Sequence, residues 1–231
     1  MKNLKKITLG IIGAVLLTAG LWACSSDNDT TTAENSKREL FAKDAEKIPL
    51  DERKNIYDYF IQYYQITDIM QSLLNEEELI LNSDFNEKLK LIETKAQLKD
   101  LLYENNFSNP DDYITEFEKI HTLQQKLREQ NEVFSGLDVS LKESIVSEIL
   151  EVSFNDYYPT IISSSQRTCA EQYIIDIRRA KRDYAVCGGF AIVAAATTGL
   201  TAGLPAAAYC MTTYYLDLSD AKSDYNDCMK K

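Results

Sequence analysis

The chain reads as all-α, an antiparallel helical bundle followed by a disulfide-stapled antiparallel helical hairpin. Three observations predict this. Residues 36 to about 160 contain a single glycine, Gly136, and the prolines Pro49, Pro110 and Pro159 fall singly among them, whereas strand-rich folds need turn residues far more often. Apolar residues in the same stretch recur every three or four positions, as one face of a helix requires. Cys169, Cys187, Cys210 and Cys228 follow at spacings of 18, 23 and 18 residues. A step of 18 residues is five helical turns, so both cysteines of one limb face the same way.

The first helix shows Ile56, Phe60, Tyr63, Ile66, Met70 and Leu73 on one face, widened by Tyr57, Ile61 and Tyr64. A run this long without a turn residue exceeds the length of a strand. A second helix is expected from Ser83 or Asp84, where Asp84 and Glu87 have capping-box spacing, with Phe85, Leu89, Ile92, Ala96, Leu98 and Leu102 inward. Residues 106–112 read as a stop followed by a start. Asn106 tolerates the left-handed conformation, Asn109 can cap, Pro110 suits the first helical position, and Asp111 and Asp112 meet the positive helix end. The third helix presents Tyr113, Phe117, Ile120, Leu123, Leu127 and Phe134 and closes before Gly136. The fourth opens at Ser140 and Glu143, a second capping box, and presents Leu141, Ile145, Ile149 and Val152. Short links between amphipathic helices favour antiparallel packing.

The four cysteines allow three pairings. Joining Cys169 to Cys187 along one helix would bridge ~27 Å, beyond the reach of a disulfide. Pairing Cys169 with Cys210 and Cys187 with Cys228 needs parallel limbs and a connector running back their full length. Cys169–Cys228 and Cys187–Cys210 need only an antiparallel hairpin over residues 163–231, and this is the pairing expected. Arg178, Arg179 and Arg182 then fall near the level of Asp217 and Asp220, which predicts salt bridges between the limbs. Residues 184–216 carry no charge and include Gly188, Gly189, Gly199, Gly203, Pro205 and several alanines. Each limb above the inner staple is ~15 Å long, half the hydrocarbon core of a bilayer, so this tip cannot cross one. Phe190, Ile192, Val193, Leu200 and Leu204 are its candidate contact residues. Three uses for it stay open at this point: burial against the bundle, entry into one leaflet, or docking to another protein.

The opposite end of the chain carries an address. Lys2, Lys5 and Lys6 precede an uncharged apolar run over residues 7–23, the pattern of a secretory signal peptide, with a retained signal-anchor as the alternative. Leu21-Trp22-Ala23-Cys24 resembles the lipobox of bacterial lipoproteins cut by signal peptidase II. That resemblance implies a signal peptide at 1–23 and a lipidated Cys24 at the head of the mature chain, fixed to a membrane through its acyl chains. Ser25-Ser26-Asp27-Asn28-Asp29 then resembles the export signal of Bacteroidota surface lipoproteins, which implies an outer-membrane lipoprotein exposed at the cell surface. Residues 24–35 read as a polar tether and residues 36–160 as the acidic bundle.

The 231 residues include 36 acidic against 25 basic ones and are 45% hydrophobic. Such a composition excludes a disordered chain and a polytopic membrane protein. A net charge of -11 argues against nucleic acid as a partner. No catalytic constellation, metal-ligand spacing or cofactor motif is visible, so no catalytic residue, metal or cofactor is assigned. His121 is the single histidine and reads as structural. Glu76-Glu77-Glu78 lacks the spacing of a calcium loop and reads as a solvated helix face. The expected function is that of a non-enzymatic surface lipoprotein that binds or scaffolds a protein or envelope partner. The alternative is a membrane-active protein, toxin-like or bacteriocin-like, whose apolar tip enters a bilayer.

Overall fold

A computed structural model describes residues 44–75, 77, 79, 84–159, 167–198 and 203–230. The signal segment, the tether, Cys24 and Leu200 lie outside the described residues. Helices alone make up the regular structure among those described: a 3-10 turn at Ala45–Lys47, then α1 Leu50–Asn75, α2 Phe85–Leu89, α3 Lys95–Glu104, α4 Pro110–Gln130, α5 Glu132–Gly136, α6 Val139–Tyr157, α7 Cys169–Thr198 and α8 Gly203–Met229.

Helix α1 packs against α4, α6 and α7, while α7 lies along both α6 and α8 and α4 touches both limbs of the hairpin. The predicted face of α1 is buried at Ile56, Phe60, Tyr63, Ile66 and Met70. One apolar core runs from these residues through Phe117, Ile145 and Phe154 to Tyr184, Ile192 and Tyr214. The hairpin is therefore packed into the bundle, and the two halves of the sequence share a single core.

Glycine allows that packing. A Cβ on Gly188 would stand 2.5 Å from the Tyr63 ring, and one on Gly189 would stand 3.1 Å from Val146 Cγ1. The missing side chains let α7 settle into the angle between α1 and α6. Tyr63 fills the space, and its hydroxyl donates to the Tyr184 carbonyl at 3.2 Å. A ladder of rings then crosses the molecule, with centroids 5.9 Å apart for Tyr59–Tyr63, 5.2 Å for Tyr63–Tyr184 and 4.9 Å for Tyr184–Tyr214. Such pairs contribute ~0.5–1.5 kcal/mol each beyond the area they bury.

Two expected helices are each broken in two. Between Phe85 and Leu102 the chain leaves the helix after Leu89 and restarts at Lys95. Thr94 caps the restart, accepting from the Gln97 amide, while the Gln97 side chain accepts in return from the Thr94 amide. Asp84, the expected cap, makes no side-chain capping bond. Ala96 is exposed for the same reason, because the restart resets the inward face to Leu98, Leu101 and Leu102. The third helix stops at Gln130, where the side chain of Asn131 turns back to donate to the Leu127 carbonyl. The short α5 takes its cap from across the bundle: the buried Glu52 carboxylate accepts from the amides of Val133 at 2.9 Å and Phe134 at 2.8 Å. Asp138 rather than Ser140 caps α6, accepting from the Leu141 amide at 2.9 Å. Asn106 does adopt the left-handed conformation, at φ 61°.

Gly188→Ala is expected to cost ~1–3 kcal/mol through overpacking on Tyr63, lowering Tm by roughly 3–10 °C in a domain of this size. Gly136→Ala, where nothing lies within 4 Å, should leave Tm unchanged or raise it; thermal unfolding of both variants followed by circular dichroism tests the pair. Glu52→Ala should cost ~1–3 kcal/mol, the penalty for stranding one buried and one part-buried helix-end amide, as denaturant unfolding would report.

Candidate functional site

Two disulfides fix the hairpin in the expected register. Cys169 is joined to Cys228 and Cys187 to Cys210, with Cα separations of 5.8 and 5.9 Å. Ring contacts between Tyr173 and Tyr225, and between Tyr184 and Tyr214, mark the same register between the staples. Each staple contributes ~2–4 kcal/mol. At the base, Thr168 and Glu171 form a capping box that starts α7: the Glu171 carboxylate accepts from the Thr168 amide and the Thr168 hydroxyl from the Glu171 amide.

Above the inner staple the candidate contact residues divide. Ile192 and Val193 are buried in the shared core, whereas Phe190 and Leu204 are half-buried and Leu200 lies outside the described residues. Ile192, Ala195 and Ala196 face Leu127 and Phe134 across a cavity of only ≈ 10 Å³, about the room that one water needs. Ile192 and Val193 therefore cannot touch a bilayer or a partner in this conformation. The small side chains of the tip are used to bring α7 close to its neighbours.

The uncharged end of α7 draws its cation from another helix. Lys142 on α6 is buried, and its ammonium donates to the Ala196 carbonyl at 3.2 Å and to Thr197 Oγ1 at 3.5 Å. A positive charge at a helix C-terminus is favourable, although burial pulls the Lys142 pKa below its usual value. The start of the described chain docks beside it. Ser144 donates to Asp44 Oδ2 at 2.8 Å, and the Ala45 amide donates to Glu148 Oε2 at 2.9 Å. With Glu52 bound to the start of α5, the beginnings of α1, α5 and α6 thus gather at the same end of the bundle as the tip. Leu50, Val133 and Val139 are 69%, 45% and 43% exposed there.

The salt bridges expected between the limbs do not form. Arg178 donates to the Tyr158 carbonyl at 3.0 Å and to Asn155 Oδ1 at 2.7 Å, Arg182 pairs with Glu151 at 2.9 Å, and Arg179 pairs with Asp176 at 3.6 Å. The arginines reach α6 or stay on α7 because α6 runs alongside, which spacing within the hairpin alone does not reveal. Asp217 is left half-buried, and its carboxyl is pushed up to about 6 by burial and by the nearby Asp183 and Asp220.

A denser polar cluster lies on α1, α6 and α7. Asp68 accepts from the Tyr158 hydroxyl at 2.7 Å, from Lys181 Nζ at 2.7 Å and from the Tyr157 hydroxyl at 3.1 Å. Lys181 also stands 4.6 Å from the Tyr158 ring centre. Burial, reinforced by Asp68, pushes the Tyr158 hydroxyl well above its usual pKa, so this tyrosine stays protonated near neutral pH and ties three helices together. It offers no general base.

Glu77 lies beyond the end of α1, not on a solvated helix face. It accepts from the Ser108 amide at 2.9 Å, the Ser108 hydroxyl at 2.8 Å and the Tyr113 hydroxyl at 3.2 Å. Tyr215 holds the same segment, accepting from the Leu79 amide at 3.0 Å and donating to the Leu79 carbonyl at 3.2 Å. Glu76 and Glu78 lie outside the described residues. A cleft of ≈ 320 Å³ opens beside this segment, lined by Leu74, Leu79, Tyr215, Leu218 and Lys222 among others. His121 is half-buried, with Nε2 3.1 Å from the amide nitrogen of Gln125 one turn on. Among the described residues no group of three or more His, Cys, Asp or Glu could hold a metal ion, and no helix is long and apolar enough to cross a membrane.

Sequence reasoning does not single out Glu52, Lys142 or Asp68, three charges on amphipathic helices. A faint signal was present for Glu52 and Lys142, since each falls on or beside the apolar stripe of its helix. Comparison with protein-family models, curated proteins and solved structures finds no match.

Asp217 gives the hairpin a pH dependence of definite sign. Its folded pKa of about 6 lies above the ordinary 3.8, so its contribution to stability is fully present below pH ~3.8 and is lost as pH rises through about 6. Asp217→Asn should therefore raise stability at pH 7 by ~1 kcal/mol, allowing for solvent screening of a half-exposed group. The gain should vanish by about pH 4, as denaturant unfolding at the two pH values would report.

Proposed function

We propose that the chain is a surface-anchored, non-enzymatic lipoprotein of the outer membrane that binds or scaffolds a protein or cell-envelope partner. The observation that carries the reading is the basic start, the uncharged run over residues 7–23 and Leu21-Trp22-Ala23-Cys24, followed by Asp27 and Asp29. The two disulfides fit an oxidising compartment outside the cytosol. The way the charged groups are held supports a scaffold: Glu52, Glu77, Asp68, Lys142 and Lys181 are each bound by backbone or by neighbouring side chains. Burial of Ile192 and Val193 in the core speaks against the toxin-like alternative, in which the tip must leave the bundle to enter a bilayer.

The wild-type chain expressed in a bacterium with a lipoprotein pathway should fractionate with membranes, and mass spectrometry should find an acylated Cys24 at its N-terminus. Cys24→Ala should leave it in the soluble fraction. Membrane association that survives Cys24→Ala with the leader uncut would establish the signal-anchor instead. Hydrolysis of any substrate in a broad panel by the purified protein would overturn the non-enzymatic part.

A further inference from the structure

The end of the bundle where the described chain begins also carries a group of apolar side chains facing solvent. Leu50, Val133 and Val139 are exposed there, and Phe190 and Leu204 are half-buried on the limbs of the hairpin above the inner staple. Three contacts bring the starts of α1, α5 and α6 to the end of α7: Glu52 binds the amides of Val133 and Phe134, Lys142 binds the Ala196 carbonyl, and Asp44 binds Ser144. The opposite end is charged and exposed at Asp224, Asp227 and Lys230.

We infer that Leu50, Val133, Val139, Phe190 and Leu204 form a seat that rests on the bilayer holding the acyl chains of Cys24, so that the body stands with its Cys169–Cys228 end away from the membrane. This rests on the lipoprotein reading above.

The length of chain between the anchor and the bundle favours this occupant. Nineteen residues separate Cys24 from Asp44. A chain of that length spans ~25 Å as a coil or ~28 Å as a helix, against ~45 Å for the thirty residues of α7. The end that meets the tether is therefore held near the lipid, while the other end is carried away from it. Apolar side chains kept at that distance enter the boundary between headgroups and acyl chains, and two attachments together hold better than either alone. The charges choose the kind of lipid. Glu46, Asp51, Glu132, Asp138 and Glu143 are exposed around the seat against Lys47 and Lys54, an acidic excess that anionic headgroups would repel, so the seat fits a zwitterionic or uncharged surface.

The test uses the lipidated full chain in phosphatidylcholine vesicles with brominated acyl chains, which quench tryptophan at shallow depth. Trp22 is the single tryptophan and leaves with the signal peptide, so one introduced tryptophan reports alone. Val139→Trp and Leu204→Trp should be quenched about twofold or more and shifted to the blue, whereas Met229→Trp at the far end should be unaffected. Circular dichroism confirms that each variant is folded. Protein that floats with vesicles but shows equal or no quenching at the two ends overturns the seat and leaves the anchor standing. Self-association that shields both seat positions before vesicles are added assigns the face to a second copy and also overturns it. An unacylated protein that does not float overturns the lipoprotein reading and the seat with it.

Discussion

Tyr63 occupies the room that a side chain on residue 188 would need, and the positions of the other helices follow from that contact. With no Cβ at Gly188, α7 comes close enough to α1 for the Tyr63 hydroxyl to reach the Tyr184 carbonyl. Tyr184 then stacks on Tyr214, and so α8 joins the same core. Gly189 does the equivalent for α6 through Val146. A hairpin that would be a long, thin lever if it stood alone is thereby held along much of its length. Close packing of this kind leaves little tolerance for added volume, which is why the stretch is built from glycine and alanine.

The parts of the fold that were legible in the sequence are those set by local or covalent geometry. Cysteine spacing fixed the pairing, because only one of three connectivities suits two antiparallel helices. Asn106 and Pro110 mark a stop and a start through backbone constraints that neighbours do not alter. The breaks at residues 90–94 and at Asn131 are hidden because apolar spacing continues across them, and each is marked only by a polar side chain bound to backbone, Thr94 at the restart of α3 and Asn131 at the end of α4. Thr94 announces its cap only through Gln97. The cap of α5 comes from Glu52, 81 residues away in sequence, and no local pattern can show that.

The candidate site was less legible. Periodicity alone cannot say which neighbour covers an uncharged helix face, so Phe190, Ile192, Val193, Leu200 and Leu204 read alike in the sequence, and only the bundle sets Ile192 and Val193 apart by burying them. Spacing within the hairpin alone matches the arginines of α7 to Asp217 and Asp220. Once α6 lies alongside, Glu151, Asn155 and the Tyr158 carbonyl are nearer. The exposed residues that frame the tip, Leu50, Val133 and Val139, begin three different helices, and only the tertiary fold brings them together.

The nested disulfides also govern the order in which the protein can be assembled. Of the four hairpin cysteines Cys169 and Cys187 emerge first during synthesis, and they are neighbours without being partners. The entropy of loop closure favours short loops, so a thiol oxidant meeting the growing chain is offered the wrong bond before either right one exists. Native pairing has to wait for Cys210 and Cys228, or be recovered by thiol exchange. Formation of α7 removes the hazard, because a helix between Cys169 and Cys187 holds their sulfurs ~27 Å apart. Early helix formation in this limb therefore acts as the proofreader of its own cross-links.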